Sequence, residues 1–374
     1  MKLGEVGTFC RGGNFSKNDF VENGFPCIHY GQIHMKFGTE TFKHISSVPI
    51  EMVKRDRCAH KGDLVIAITS EDDEGSCKCT AWMGDYDVYV GGHTAIYRHT
   101  MQPKYVSYYF MSPRFQIDKL EYTHGFKVVE INPKDIAKIT IPIPPLPEQQ
   151  RIVSYLDAEF AKIEALKANA EKQLQAAKDL FQAALKELLT PKEGWVEKKF
   201  GDVCHYYKVQ GKWENIEYIG LEHIEAHTSN LLATISANDV ESSTFKFNKG
   251  DVLYGRLRPY LQKVVIAPFD GCCSTEIFPI KSNIINNAFL KYWLLSDRVT
   301  EIMINSCSGC RMPRANMNDF KQETIHYPQF EDQQQIANKL DAISAKVKSL
   351  QTNYTETITL CNDLKQALLK KVFE

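Results

Sequence analysis

Apolar residues recur three and four apart over two very long stretches of this chain. In the first they fall at Val153, Leu156, Phe160, Ile163, Ala170, Leu174, Ala177, Phe181, Ala184 and Leu188, interrupted at Lys167. In the second they fall at Ile336, Leu340, Ile343, Val347, Leu350, Tyr354, Cys361, Leu364 and Leu368, with Thr357 as the polar gap. Neither stretch contains Pro or Gly, the residues that interrupt helices, until Pro191 closes the first. The spacing predicts two helices, over residues 148–191 and 331–374, each carrying a heptad seam. At 1.5 Å rise per residue each is about 60 to 65 Å long. The simplest way to bury both stripes is against each other, as an antiparallel two-helix coiled coil.

The rest of the chain alternates short strand patterns with turns, and it too occurs twice. Glu148-Gln149-Gln150 returns as Asp332-Gln333-Gln334, 184 residues on, and Leu156-Asp157 as Leu340-Asp341. Leu3-Gly4-Glu5-Val6 is echoed by Phe200-Gly201-Asp202-Val203. Phe25 to Ile33, read as a strand ending in a Gly turn, is echoed by Glu217 to Ile224. Lys61-Gly62-Asp63 and Lys249-Gly250-Asp251 each enter a buried strand. Aromatic residues at helical spacing in Lys104–Phe110 and Ala288–Leu294 predict two core-facing helices. The fold class is α+β: two similar globular domains, residues 1–147 and 192–330, and the long helix pair, related by an internal pseudo-twofold repeat.

Composition narrows the function classes. Residues 1–147 carry 17 basic and 17 acidic side chains and residues 192–330 carry 16 of each, so neither domain has the bulk positive field of a strong nucleic-acid binder. Eleven cysteines, without an apolar leader, fit a reducing compartment and free thiols. With no run of 18 apolar residues, the expected location is the cytoplasm and no membrane partner is expected. Cys307-Ser308-Gly309-Cys310 has the spacing of a zinc knuckle, but adjacent Cys272 and Cys273 make poor co-ligands for one tetrahedral ion, so no metal is expected.

A catalytic reading has little support. GxxxxGK, GxGxxG after a strand, and HExxH are all missing. Asn132-Pro133-Lys134-Asp135 lacks the second proline and the aromatic that an amino-methyltransferase site uses against a flipped base, and its Asn is read as a turn cap. Glu71 to Glu74 reads as a solvated acidic loop. What remains is one scaffold twice, with different loops, which suits the reading of two different short sequences. Base edges are read by Arg or Lys at guanine, by Asn or Gln at adenine, and by small hydroxyls elsewhere. The DNA-binding candidates are Arg11, Asn14, Ser70, His93 and Lys127 in the first domain. In the second they are Arg256, Arg258, Tyr260, Thr275, Arg311 and Arg314.

Several of these stretches together resemble the specificity subunits of type I restriction-modification systems, over the whole chain. The resemblance rests on Tyr218 to Ile224, on Lys249 to Tyr260, on Met312-Pro313-Arg314-Ala315-Asn316, and most strongly on Ile143 to Ile152 opening a long helix. It implies two target recognition domains, each reading half of a split, asymmetric site in double-stranded DNA. It also implies that the coiled coil is a ruler for the unread base pairs between the halves. The resemblance further implies a chain without catalysis of its own. Two methyltransferase (M) subunits that use S-adenosylmethionine would dock on it, and restriction (R) subunits using ATP and Mg would join them. In the first domain an acidic loop stands where the second has Arg256 and Arg258. A different reading is a coiled-coil adaptor whose domains bind protein, which the neutral charge favours.

Overall fold

Lys61-Gly62-Asp63 and Lys249-Gly250-Asp251 open the central strand of each half by the same device. Gly62 and Gly250 take φ of +92° and +91°, a left-handed conformation that costs glycine little. The next residue closes the turn: Asp63 Oδ2 accepts from the His60 amide at 2.8 Å and Asp251 Oδ2 from the Asn248 amide at 2.7 Å. The strands that follow, Leu64–Ala67 and Val252–Gly255, are buried throughout.

The computed structural model describes residues 1–125, 127–307 and 311–374. Its contacts divide the chain into two compact units, Met1–Asn169 with Thr357–Glu374, and Ala170–Glu356. In the first unit the strands Gly7–Arg11, Thr94–His99, Leu64–Ala67, Cys79–Trp82 and Glu40–Thr41 form one sheet in that order. In the second, His205–Tyr206, Ile277–Lys281, Val252–Gly255 and Val264–Ile266 repeat its first four positions. A second sheet in each unit contains one parallel pair, Phe25–Ile28 with Val88–Val90, and Glu217–Ile219 with Gly271–Ser274. The duplication seen in the sequence is therefore a duplication of strand order.

The two long helices run Leu146–Leu189 and Phe330–Phe373. The first takes Pro147 into its opening turn, where a missing N–H removes no helical hydrogen bond. In the first unit the pairing is antiparallel, for Lys365 bonds Glu164 while Lys167 bonds Asn362. The core of that unit joins Val153, Leu156, Leu369 and Phe373 to Tyr105, Tyr109 and Phe115. In the second unit, Phe181, Leu185, Leu340 and Val347 join Phe289, Tyr292 and Val299. The main core cluster of each unit is thus shared between the domain and its part of the long helices.

The seam departs from its predicted line in several places, with Ala337 and Leu369 fully buried beside half-buried Ile336 and Leu368. Leu185 is fully buried beside half-buried Ala184, and Leu364 is 48 % exposed while Lys365 takes the inward position. Lys365 lays its amine 5.5 Å from the Phe160 ring centroid and pairs with Glu164, so its stem fills the seam and its charge is met. The predicted Gly turn after Phe25–Ile28 is instead a short helix, Tyr30–Met35, whose start is closed by Gln32 Oε1 accepting from the His29 amide at 3.0 Å.

The helices predicted around Lys104–Phe110 and Ala288–Leu294 span Pro103–Met111 and Asn287–Leu294, and their aromatics are in the core. Each is tied to a long helix at equivalent points. Tyr108 donates to Asp157, as does Lys104 at 3.0 Å. Tyr292 donates to Asp341 at 2.5 Å and Lys291 to the same oxygen at 3.0 Å. Tyr292→Phe removes one hydrogen bond from a buried ring and leaves Asp341 paired with Lys291. We expect a loss of about 1 kcal/mol, read as a fall of roughly 2–4 °C in thermal midpoint; an unchanged midpoint in a thermal melt removes the tie as a stabilising element.

Candidate nucleic-acid interface

In the second unit the strand Val252–Gly255 runs into Arg256, and a segment after residue 310 returns beside it. Leu257 and Arg314 form an isolated antiparallel bridge, the Arg258 amide donates to Pro313 O at 2.8 Å, and the Ala315 amide to Arg256 O at 3.0 Å. Arg258 takes φ of +53°, which turns the chain into the short helix Pro259–Leu261. Arg314 is therefore brought beside Arg256 and Arg258 from a distant part of the sequence.

Glu276 organises this group. Its Oε2 accepts from Arg256 Nε at 2.9 Å and its Oε1 from Arg314 Nε at 2.8 Å. The Arg256 amide also donates to Glu276 O at 2.9 Å. Burial opposes the charge on Glu276, but the hydrogen bonds and charges of Arg314 and Arg256 outweigh it and hold the carboxyl below its ordinary value. Both guanidiniums are anchored through Nε. Arg256 makes no further hydrogen bond through its terminal nitrogens among the described residues, leaving the fork that matches guanine O6 and N7, whereas Arg314 also donates through Nη1 to Met312 O at 3.4 Å. Thr275, beside Glu276 in the turn between strands, is half-buried, whereas Arg258, Tyr260 and Arg311 are exposed.

Lys208 belongs to the same group and was not picked out from the sequence. Its amine lies 4.9 Å from the Phe278 ring centroid, and the Arg256 guanidinium 5.3 Å from the same ring. The signal was available: Arg11 is eight residues past Leu3, and Lys208 eight past its counterpart Phe200. Glu276 was equally unmarked, because nothing local distinguishes a paired carboxylate from a solvated one.

In the first unit strand pairing places two of the five candidates, Arg11 and Ser70, and loop contacts place the others. Arg11 pairs with Ala95 at the end of two strands, and Ser70 pairs with Val129. The Ile68 amide donates to His93 O at 3.0 Å, and a Cβ built on Gly92 would meet Asn14 Oδ1 at 3.8 Å. Lys127 lies in the hairpin between Thr123–His124 and Val129–Ile131 and is exposed, as are Arg11, Asn14 and His93. Arg11 bonds Glu130 at 2.7 Å, and Arg57, another residue unmarked in the sequence, donates to Arg11 O at 2.5 Å. Tyr30 sits among three imidazoles, with ring centroids 4.4 Å from His29, 6.1 Å from His34 and 5.2 Å from His93. Burial, then the charges of Lys17 and His93, push the His29 pKa down and favour its neutral form.

Other sequence readings find their place here. Asn132 caps the short helix Pro133–Ile136, accepting from the Lys134 amide at 3.0 Å. Cys272 and Cys273 sit in separate clusters of the core, while Ser308 to Cys310 of the zinc-knuckle pattern lie outside the described residues. Among the described residues no three His, Cys, Asp or Glu side chains are grouped to hold a metal, and no helix is long and apolar enough to cross a membrane.

The sheet order is repeated in the two units, and each unit carries its own set of basic and polar loop residues. The chain belongs to the family of type I restriction modification DNA specificity domains, whose model matches residues 1–176 and 192–360. The specificity subunit of the Escherichia coli type I restriction enzyme EcoDI is 27% identical over 292 residues, 68% of this chain and 66% of that one. The EcoKI specificity subunit of Escherichia coli K12 is 22% identical, over 96% of this chain and 83% of its own. The chain thus spans just under two thirds of the first relative and more of the second. Among solved structures, a chain from a study of the assembly and conformational transition of the type I R-M system has a TM-score of 0.79 at 18% identity, covering 100% of this chain and 97% of its own. The HsdS subunit of Thermoanaerobacter tengcongensis has a TM-score of 0.59 at 18% identity, covering 100% and 95%. These likenesses are of fold.

Proposed function

We propose that this chain is the DNA-reading subunit of a type I restriction-modification complex, each unit reading one half of a split, asymmetric site. The observation that carries the reading is the Glu276 cluster: two arginines fixed through Nε by one carboxylate, Arg256 with no other hydrogen bond from its terminal nitrogens among the described residues and Arg314 steadied further by Met312 O, in a chain of the specificity family. Held in this way a guanidinium is oriented before it meets DNA, and less rotamer entropy is lost on contact. Tyr260, Arg258, Arg311 and Lys208 would flank that contact. In the first unit Arg11, Asn14, Ser70, His93 and Lys127 take the equivalent place with different chemistry, so the two half-sites differ.

On this reading the chain supplies no catalytic group. Two methyltransferase subunits bring S-adenosylmethionine, and restriction subunits bring ATP and Mg. Near-neutral domains suit such a role, because basic partner surfaces share the neutralisation of phosphates. The test is a genome-wide map of N6-methyladenine in a host without its own methylation, expressing this chain with its candidate methyltransferase, against the methyltransferase alone. We expect a split motif that needs both chains. A methyltransferase that works with another specificity chain but acquires no motif from this one would refute the reading and leave the protein-binding adaptor in its place.

A further inference from the structure

Lys119 is 1 % exposed and forms no ion pair within 4 Å among the described residues, the carboxylates of Asp73, Asp72 and Glu74 acting on it at longer range; its amine donates to two backbone carbonyls, Asp73 O at 2.6 Å and Ser76 O at 2.6 Å. Both belong to the loop that continues from Ser70. The loop is closed from within as well. Asp72 Oδ1 accepts from the Gly75 amide at 2.7 Å, Ser76 Oγ donates to Asp73 O at 2.8 Å, and Cys77 leaves the loop with φ of +63°. A buried ammonium is costly without donor–acceptor satisfaction. Here it serves carbonyls that face inward and that an apolar residue would leave unpaired.

The same residue begins the second element of the recognition face. Lys119 starts the short helix Lys119–Tyr122, which runs directly into the hairpin that carries Lys127. That hairpin returns to pair Val129 with Ser70. One buried amine is therefore the common root of the Ser70 loop and the Lys127 hairpin, the connections that carry two of the first unit's five candidates.

We propose that Lys119 is a positioning residue for base selection by the first unit: it touches no DNA and sets the conformation of the loop and hairpin that do. The proposal rests on the DNA-reading function given above. Its selectivity is then confined to one half-site, because Lys119 has no role in the Glu276 cluster of the other unit.

The test maps N6-methyladenine with the full complex carrying Lys119→Met, with Lys119→Gln beside it as a variant that keeps donors for the carbonyls. Arg256→Ala identifies the half-site that belongs to the second unit. We expect Lys119→Met to lower discrimination about tenfold or more at one or two positions of the other half-site, with Lys119→Gln falling between it and the parent and the second unit's half unchanged. A purely structural role would lower methylation at every site and leave the motif intact, and that result overturns the proposal. Should Lys119→Met not fold, Lys119→Gln decides by the same criterion. If the parent chain confers no motif at all, the DNA-reading function itself fails, an outcome distinct from an unchanged motif in the variants.

Discussion

Glu276→Ala is expected, on the proposed DNA-reading function, to lower the preference for the specific site about a hundredfold, and to do so while slightly raising the affinity for unrelated DNA. The two effects have one cause. Glu276 anchors Arg256 and Arg314 through Nε at 2.9 and 2.8 Å. Without it two half-buried guanidiniums face each other with no counter-charge and turn away from the geometry a guanine edge requires. Each well-made bidentate contact discriminates by about 1–3 kcal/mol, so two disordered arginines account for the loss. The removed negative charge meanwhile strengthens the sequence-independent attraction to phosphates. Competition between specific and unrelated duplexes at one fixed salt concentration measures both; an unchanged ratio would show that the arginines do not read bases. Glu276→Gln keeps an acceptor and should fall between.

The same carboxylate predicts an acid limb in stability. Its pKa is held below the ordinary glutamate value of 4.5 in the fold, since the arginines outweigh the opposing effect of burial. A depressed folded value means that the contribution is complete above the unfolded value and is lost as pH falls through the folded one. The stability difference between the parent chain and Glu276→Gln should therefore be constant near neutrality and shrink below about pH 4.5. A difference that grows on acidification would place the carboxylate in another environment.

What could be read in the sequence followed the range of the interaction. The long helices, the Gly-Asp turns, the core aromatics and the Asn132 cap are set by spacing within a few residues, and they are found where the pattern puts them. Leu364 and Lys365 show the first limit. A heptad assigns leucine to the seam, but Glu164 from the other helix and the Phe160 face accommodate a lysine there, and neighbouring Leu364 turns to solvent. The candidate arginines were legible as residue types, whereas their anchor was not. Glu276 stands 20 and 38 residues from its two partners, and only the strand order brings them together. Lys119 was hidden for the opposite reason: a lysine reads as surface, and its acceptors are backbone carbonyls that carry no residue identity.

Gln333→Ala is expected to give the largest stability loss, about 3 kcal/mol, and its effect explains the strongest repeat in the chain. Gln333 is 1 % exposed; its Oε1 accepts from the Asn286 amide at 2.7 Å and its Nε2 donates to Pro328 O at 2.9 Å. Gln149, 2 % exposed, does the same with the Gln102 amide at 2.9 Å and Pro144 O at 2.8 Å. Gln102 and Asn286 are the caps of the core-facing helices, so each glutamine pins a domain helix to the root of a long helix. Truncation strands a buried donor and a buried acceptor at about 1–3 kcal/mol for each unsatisfied group, with a void added. Hydrogen exchange distinguishes the two sites: Gln333→Ala should speed exchange about a hundredfold in slow amides of Ala170–Glu356, and Gln149→Ala in those of the other unit. If either variant loosens both units equally, they do not open separately. If neither changes exchange, the two glutamines do not pin the domain helices to the long helices.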